Sequence, residues 1–156
     1  MSHELPSIVS SYIYTLVALT AVSALLLFSL NSYTFTLRNT SETAQLKNIL
    51  NGVAAKANEI LTLVTATNSS LTVYLALPTT IGDQYYWMRI RNDSSCAWVE
   101  GSLGQMLEGY AELRVLIPSK TSTSGYFISV QGQALLQGYM NGSTPQLNLA
   151  SVGGQL

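Results

Sequence analysis

Few residues of this chain could do chemistry, and they are scattered. Among the eight carboxylates, Glu108 and Glu112 are spaced so that both would lie on one face of a helix. Two facing carboxylates can act as acid and nucleophile in a glycosidase, but separate carboxylates are ordinary on a solvated surface. His3 is the only histidine and Cys96 the only cysteine, which argues against a catalytic triad, a cysteine-ligated metal and an intramolecular disulfide. We therefore predict a protein that is not an enzyme and has no catalytic residue, metal site or cofactor.

A second cluster combines aromatic and basic side chains. Tyr85, Tyr86 and Trp87 precede Arg89 and Arg91, and such a combination can stack on the bases of single-stranded nucleic acid. The same residue types are also common strand formers. Because the whole chain has a net charge of -1, it lacks the basic surface that nucleic-acid binding requires. The sequence therefore predicts that nucleic acid is not a partner.

The N-terminal region has the composition of a membrane segment. The chain is 47% hydrophobic and only 10% charged, whereas an ordinary soluble domain has about 25% charged residues. No residue between Glu4 and Arg38 is charged, and the interval includes the apolar run Tyr12 to Leu30. About 20 apolar residues of helix can span a bilayer, and a signal-peptide core is shorter, at about 7–15 residues. We predict a retained membrane-spanning helix at about residues 7–37; the alternative is a cleaved secretory signal.

Small residues interrupt this apolar run. In an apolar medium they allow two helix backbones to approach closely, where packing and hydrogen bonds replace the hydrophobic effect. Lone membrane anchors also contain such residues, but their number here favours helix–helix contact. The predicted packing and assembly residues are Ser11, Thr15, Ala18, Ala21 and Ala24.

The remaining pattern predicts an α+β fold with two parts. Apolar residues recur at helical spacing from Leu46 to Val64, so the helix continues as an amphipathic extension that packs on the C-terminal domain. Residues 1–67 form the helical part, and residues 68–156 form an antiparallel β-sandwich-like or curled-sheet head domain. Its short strands alternate with turn signals. The predicted strands are 71–77, 84–91, 96–100, 111–117, 126–130, 134–139 and 146–150, with hairpins joining the second to the third and the fifth to the sixth.

Four Asn-X-Ser/Thr triplets follow the apolar run and favour an exported, glycosylated head domain. Arg38, Lys47 and Lys56 also follow the run, and no Lys or Arg precedes it. The positive-inside rule would then keep the domain in the cytoplasm, but few charges are involved, and we give the triplets more weight. The candidate glycosylation sites are Asn39, Asn68, Asn92 and Asn141.

The arrangement resembles the archaeal type IV pilin and archaellin-like superfamily. The resemblance rests on the uncharged stretch SIVSSYIYTLVALTAVSALLLFSLNSYTFTL, the amphipathic helix LKNILNGVAAKANEILTLV and the strand-turn-strand SSLTVYLALPTTIGDQYYWMRIRND. It covers nearly the whole chain but is one of architecture, without a diagnostic motif. The basic residue and glycine that usually mark the prepilin processing site are missing before the apolar stretch. The resemblance also implies an assembly role for Glu4, near the position of the acidic residue at the N-terminus of many mature bacterial pilins.

The resemblance implies a structural subunit of an extracellular filament. Its partners would be membrane lipid before assembly, the pilus assembly machinery, and identical subunits in a helical homopolymer. The protein would lie in the cell membrane first and in a surface filament afterwards. The alternative is a membrane-anchored module, either a minor pilin-like adhesin or a stator-type binding module of the archaellum. A secreted enzyme is a third and weaker reading.

Overall fold

A computed structural model describes the backbone of residues 5–107, 109 and 111–153, and the side chains from Ser11 onward. His3, Glu4 and Glu108 lie outside the described residues, so the role of Glu4 and the pairing of Glu108 with Glu112 stay predictions.

The chain forms one long helix followed by seven strands, which confirms the predicted α+β fold. Helix α1 ends where Asn68 takes a left-handed backbone conformation with φ at 53°, and the Asn68 amide donates to the Val64 carbonyl at 2.9 Å. This is a common way to end a helix, because Asn tolerates positive φ. The elements are α1 Leu5–Thr67, β1 Leu71–Leu75, β2 Tyr86–Asn92, β3 Ala97–Leu103, β4 Leu113–Ile117, β5 Ser122–Ile128, β6 Gln133–Asn141 and β7 Thr144–Val152.

The chain divides into two compact units between Ser41 and Glu42. The first unit holds the apolar part of α1. The second unit, from Glu42 onward, holds the amphipathic part of α1 together with all seven strands. We call this second unit the head. It begins about one helical turn before Leu46, the first buried apolar residue of α1, and continues to the last strand.

The strands form a single open sheet in the order β1-β6-β7-β5-β2-β3-β4. The β2–β3 hairpin is as predicted, but the predicted hairpin between the fifth and sixth strands is wrong. β6 pairs instead with β1 and, over nine residue pairs, with β7. The reason is the two-residue loop Gly142-Ser143 that joins them, since Gly142 has φ at 63° and a type II′ turn needs glycine at that position. β5 is left to pair with β7 in parallel, so the sheet is mixed.

The core of the head lies between one face of α1 and one face of the sheet. The helix contributes the buried side chains predicted by the helical spacing, which are Leu46, Leu50, Val53, Ala54, Ala57, Ile60, Leu61 and Val64. Two strand glycines permit close approaches, of the helix at Gly138 and of the neighbouring strand β2 at Gly101. A Cβ on Gly138 would lie 2.4 Å from Ile60 Cγ2, and a Cβ on Gly101 would lie 2.5 Å from the Trp87 carbonyl oxygen and 3.4 Å from Leu50 Cδ2. Each fully buried aliphatic side chain contributes about 1.5–3 kcal/mol to folding.

Candidate functional site

The apolar segment of α1, defined here as Ser11–Leu37, exposes all of its large hydrophobic side chains. Their exposed fractions range from 52% at Leu37 to 75% at Tyr12 and Tyr14. The segment has no charged residue, and α1 contains a stretch that is long and apolar enough to cross a membrane, judged by length and composition. Soluble monomers rarely expose apolar patches of more than a few hundred Å². This segment therefore needs an apolar partner, which can be lipid or protein.

The threonine hydroxyls of the apolar segment have partners within the helix. Thr15, Thr20, Thr34 and Thr36 each donate to the carbonyl oxygen four residues earlier, at 2.8–3.0 Å. In lipid, or between packed helices, no water is present to bond a free hydroxyl. Thr62 and Thr65 in the head make the same bond, so the arrangement does not by itself identify a membrane helix. It does make these four hydroxyls compatible with an apolar surrounding.

The predicted packing residues do not share one face of the helix. With about 100° between successive residues, Ser11, Thr15 and Ala18 lie along one stripe. Ala21 and Ala24 lie on a different stripe, where they line a shallow groove together with Leu16, Val17 and Thr20. We call this second feature the alanine groove. The apolar segment thus offers two surfaces on which another backbone could approach closely.

The four candidate glycosylation asparagines are all exposed. Asn39 lies within α1, Asn68 follows its last residue, and Asn141 ends β6 at the tight turn. Asn92 ends β2, and its Oδ1 accepts hydrogen bonds from the backbone N–H and the hydroxyl of Thr123 at 2.9 and 3.1 Å. Asn141 is therefore the candidate in the most open position, at a loop tip.

Of the residues considered for chemistry, the structure describes Glu112 and Cys96. Glu112 accepts a hydrogen bond from Ser102 at 3.3 Å and another from Thr43 at 3.4 Å. Cys96 is a free, half-buried cysteine beside the β2–β3 turn. Within residues 5–107, 109 and 111–153, no group of three or more His, Cys, Asp or Glu side chains is placed to hold a metal ion.

Two of the aromatic residues considered for stacking are fully buried. Tyr86 points into the core, where its ring meets Phe127 edge-on with centroids 6.5 Å apart, and its O–H donates to the Pro78 carbonyl at 2.8 Å. Trp87 is 0% exposed on the opposite face of β2. Burial raises the pKa of Tyr86 to about 12, because the charged phenolate would be poorly solvated there. Neither ring is accessible to a ligand.

Sequence reasoning did not find the main charged cluster of the head, which gathers around Glu100 on the sheet face opposite α1. Glu100 is buried and accepts hydrogen bonds from Arg89 Nε at 2.5 Å, Trp98 Nε1 at 2.8 Å and Arg114 Nη2 at 3.3 Å. Arg91 Nη1 lies 3.8 Å from the same carboxylate. One sequence feature could have indicated this cluster. Arg89 and Arg91 are two residues apart in β2, which puts both on one face of the sheet.

The electrostatics of this cluster keep Glu100 ionised. Burial alone raises the pKa of its carboxyl group, but the hydrogen bonds from Trp98 and Arg89 and the positive charges of Arg89 and Arg114 have the larger combined effect. The pKa of Glu100 is therefore lowered from its ordinary value. In the β2–β3 turn, backbone hydrogen bonds from Cys96 and Ser95 lower the pKa of Asp93 to about 2.

Comparison with protein-family models, curated proteins and solved structures finds no match to this chain. One long apolar N-terminal helix followed by a β-sheet domain is compatible with a pilin-like architecture.

Proposed function

We propose that this protein is a structural subunit of an extracellular filament similar to archaeal type IV pili and archaella. Subunits would assemble through the apolar segment of α1. The observation that carries the proposal is that this segment is uncharged and exposed on every side, while the head has a core of its own. The head does not need the apolar segment in order to bury its hydrophobic residues.

The hydrophobic effect supplies the driving force. Fifteen large apolar side chains are exposed between Tyr12 and Leu37, and leaving each in water costs about 1.5–3 kcal/mol relative to burial. Membrane lipid would cover them before assembly. Neighbouring copies of the same segment would cover them in the filament. The proposed role is thus mechanical and not catalytic.

The length of the uncharged run that contains the apolar segment favours a filament over a simple anchor. The uncharged run from Leu5 to Leu37 has 33 residues, which is about 50 Å of helix at 1.5 Å per residue. The hydrocarbon core of a bilayer is only about 30 Å thick. The additional turns have no evident use in an anchor, but in a filament they would be buried against other helices.

The alanine groove supports the same proposal. Small residues on a helix surface let a second helix approach closely in an apolar medium. A contact between two different surfaces of identical subunits is heterologous, and it generates an open helical array if the rotation does not close. The net charge of -1 leaves little repulsion between copies to oppose such growth. The four Asn-X-Ser/Thr triplets of the chain support an extracellular location for the head.

A second candidate function is a membrane-anchored binding module, such as a minor pilin-like adhesin or a stator-type module. One apolar helix is sufficient for an anchor. The specific observation in favour of this candidate is the arginine-rich outer face of the sheet, where Arg91 and Arg114 are more than half exposed. The two candidates are not exclusive, because a filament subunit can also bind a ligand.

The test replaces both alanines of the alanine groove, Ala21→Phe with Ala24→Phe. The helix stays apolar, so insertion into lipid should be preserved. Overpacking a close contact costs about 1–3 kcal/mol per site, and a filament repeats that cost at every subunit. We expect the ratio of sheared extracellular protein to membrane protein to fall at least tenfold. The matched control is Leu27→Phe, which exchanges one large exposed side chain for another and should leave the ratio close to the wild-type value.

One result would count against the filament, and another against the role of the alanine groove in it. Wild-type cells that shed no filament, as judged by shearing and negative-stain microscopy, would favour the anchored module. A double variant that still assembles normally would mean that the alanine groove faces no neighbour.

A further inference from the structure

Four strands of the head align their outer side chains in rows. In the first row, Tyr126, Arg89, Glu100 and Arg114 lie opposite one another across β5, β2, β3 and β4. In the next row, Arg91 of β2 lies opposite Trp98 of β3. We call the group Arg89, Arg91, Trp98, Glu100 and Arg114 the arginine face.

Glu100 holds two guanidinium groups of the arginine face by hydrogen bonds and attracts the third. Arg89 is the least exposed of the three, with 12% of its side chain accessible, and it bonds Glu100 directly. Arg114 stacks on the Trp98 ring, with its Cζ 4.5 Å from the centroid, and also bonds Glu100. Arg91 approaches the same carboxylate from the neighbouring row. Because Glu100 and Trp98 already order Arg89 and Arg114, a ligand would meet two arginines that have lost part of their rotamer freedom.

The arginine face has unused donors and excess positive charge. Arg91 and Arg114 are 55% and 59% exposed. Each guanidinium has five N–H donors in a planar fork, and Glu100 uses only part of them. Three arginine charges against the Glu100 carboxylate leave a net charge of +2, or +1 when the neighbouring Glu112, which accepts a hydrogen bond from Ser102, is counted, in a chain whose total is -1. The outward edges of Arg91 and Arg114 are therefore suited to an anion, and a planar fork fits a carboxylate especially well.

The rest of the outer face is polar and aromatic. Tyr126 is 53% exposed next to Arg89. Further along, Ser124, Asn148 and Gln137 lie opposite one another across β5, β7 and β6. Amide and hydroxyl groups can bond sugar hydroxyls, and an exposed aromatic ring can lie against the C–H face of a sugar. This combination of groups matches a sugar chain that bears acidic groups.

We propose that the arginine face and the adjoining polar surface bind an anionic glycan, a sugar chain with carboxylate groups. A second copy of this chain fits less well, because the carboxylates of the described part of the head are spread over separate elements and no three of them form a cluster. Glu59 pairs with Lys56, Asp93 bonds the turn amides, and Asp83 has a partner of its own. Single-stranded nucleic acid also fits less well, since Trp87 is buried and Arg114 covers one side of Trp98.

This site is additional to the proposed filament role. It names a class of ligand, anionic glycans, for the binding module proposed as the second candidate function. Binding can be measured on dispersed subunits, so it can fail while filaments still assemble, and the reverse is equally possible. The experiment uses the full chain in mild detergent micelles, with galacturonic acid oligomers as the anionic probe. Neutral dextran oligomers of similar length and oligo-dT are the comparison probes.

The central variant combines Arg91→Gln with Arg114→Gln, which keeps the Arg89–Glu100 pair between β2 and β3. We expect at least a tenfold increase in the Kd for the galacturonic acid oligomers, and binding that weakens as salt increases. The matched control, Lys47→Gln with Lys56→Gln, removes the same charge from α1 on the other side of the sheet. It should change the Kd less than twofold.

A second pair, Arg91→Lys with Arg114→Lys, retains the charge but loses the planar fork. It should weaken binding at least threefold. Because lysine is similar to arginine in length and charge, this variant should fold even if the glutamine variant does not. The proposal is overturned if the lysine-to-glutamine control loses as much affinity as the arginine variant. It is equally overturned if wild-type protein prefers oligo-dT, binds neutral dextran as well as the acidic oligomers, or binds none of the probes.

Discussion

Replacing Gly138 of β6 by alanine should destabilise the contact between the sheet and α1. The new Cβ would lie 2.4 Å from Ile60 Cγ2 and 3.3 Å from Val64 Cγ2, whereas carbon atoms pack best at about 3.5–4.0 Å. Helix or strand must therefore shift by about 1 Å. Overpacking of this kind costs about 1–3 kcal/mol, and the lower entropy of the unfolded chain offsets up to about 1 kcal/mol. We expect a net loss of about 1–2 kcal/mol in the free energy of unfolding.

A double-mutant cycle tests the stated cause. Ile60→Ala alone should cost about 2–5 kcal/mol, because it removes a buried side chain and leaves a cavity. It also removes the Cγ2 atom that the new methyl group would meet. The double variant should therefore be more stable than the sum of the single effects predicts, by about 1–2 kcal/mol.

The assay is urea unfolding of the full chain in mild detergent, followed by tryptophan fluorescence. Both tryptophans, Trp87 and Trp98, lie in the head, so the signal reports on this unit. The matched control is Gly52→Ala on the exposed side of α1, where a Cβ would meet nothing within 4 Å. That variant should gain about 0.5–1 kcal/mol. Additive effects of Gly138→Ala and Ile60→Ala, or a stable Gly138→Ala protein, would refute the reasoning.

Two further predictions concern ionisation and export. Burial raises the pKa of Tyr86 to about 12, whereas the tyrosine of the unfolded chain has a pKa of about 10. Below about pH 10 the neutral Tyr86 makes its full contribution to the free energy of unfolding. That contribution falls as the pH rises from about 10 towards 12, because the unfolded chain loses the proton first. Urea unfolding across this interval should show the loss in wild type and a smaller loss in Tyr86→Phe; identical pH profiles would contradict it. Protein from its native source should also carry added mass on at least one of the four candidate asparagines, and an intact mass equal to the bare polypeptide would remove that support for export.

Features that depend on local pattern were predictable from the sequence. The uncharged run before Arg38 marks the apolar segment, and the helical spacing from Leu46 to Val64 selects the face that packs on the sheet. The seven strands lie close to the predicted ranges because proline, glycine and asparagine interrupt them at their ends. The β2–β3 hairpin follows from two adjacent strands and the short turn between them, in which Asp93 bonds the Ser95 and Cys96 amides.

Pairing between distant segments was not predictable in this way. The sequence placed the second hairpin between β5 and β6, but the tight turn at Gly142 joins β6 to β7 and sends β5 to pair in parallel with β7. In the apolar segment, helical spacing alone separates the stripe of Ala18 from that of Ala21 and Ala24, but the groove formed with Leu16, Val17 and Thr20 is visible only in the structure.

The arginine face shows the same limit most clearly. Alternation along β2 places Arg89 and Arg91 on one side of a strand, and that much can be read from the sequence. Glu100 and Arg114 join them only because β3 pairs with β2 and β4 in one specific register. A shift of one residue would turn every side chain of a strand to the opposite face, and burial of the apolar side against α1 is what selects the register. Local residue pattern thus determines the elements of this protein, and packing between them determines which charges meet.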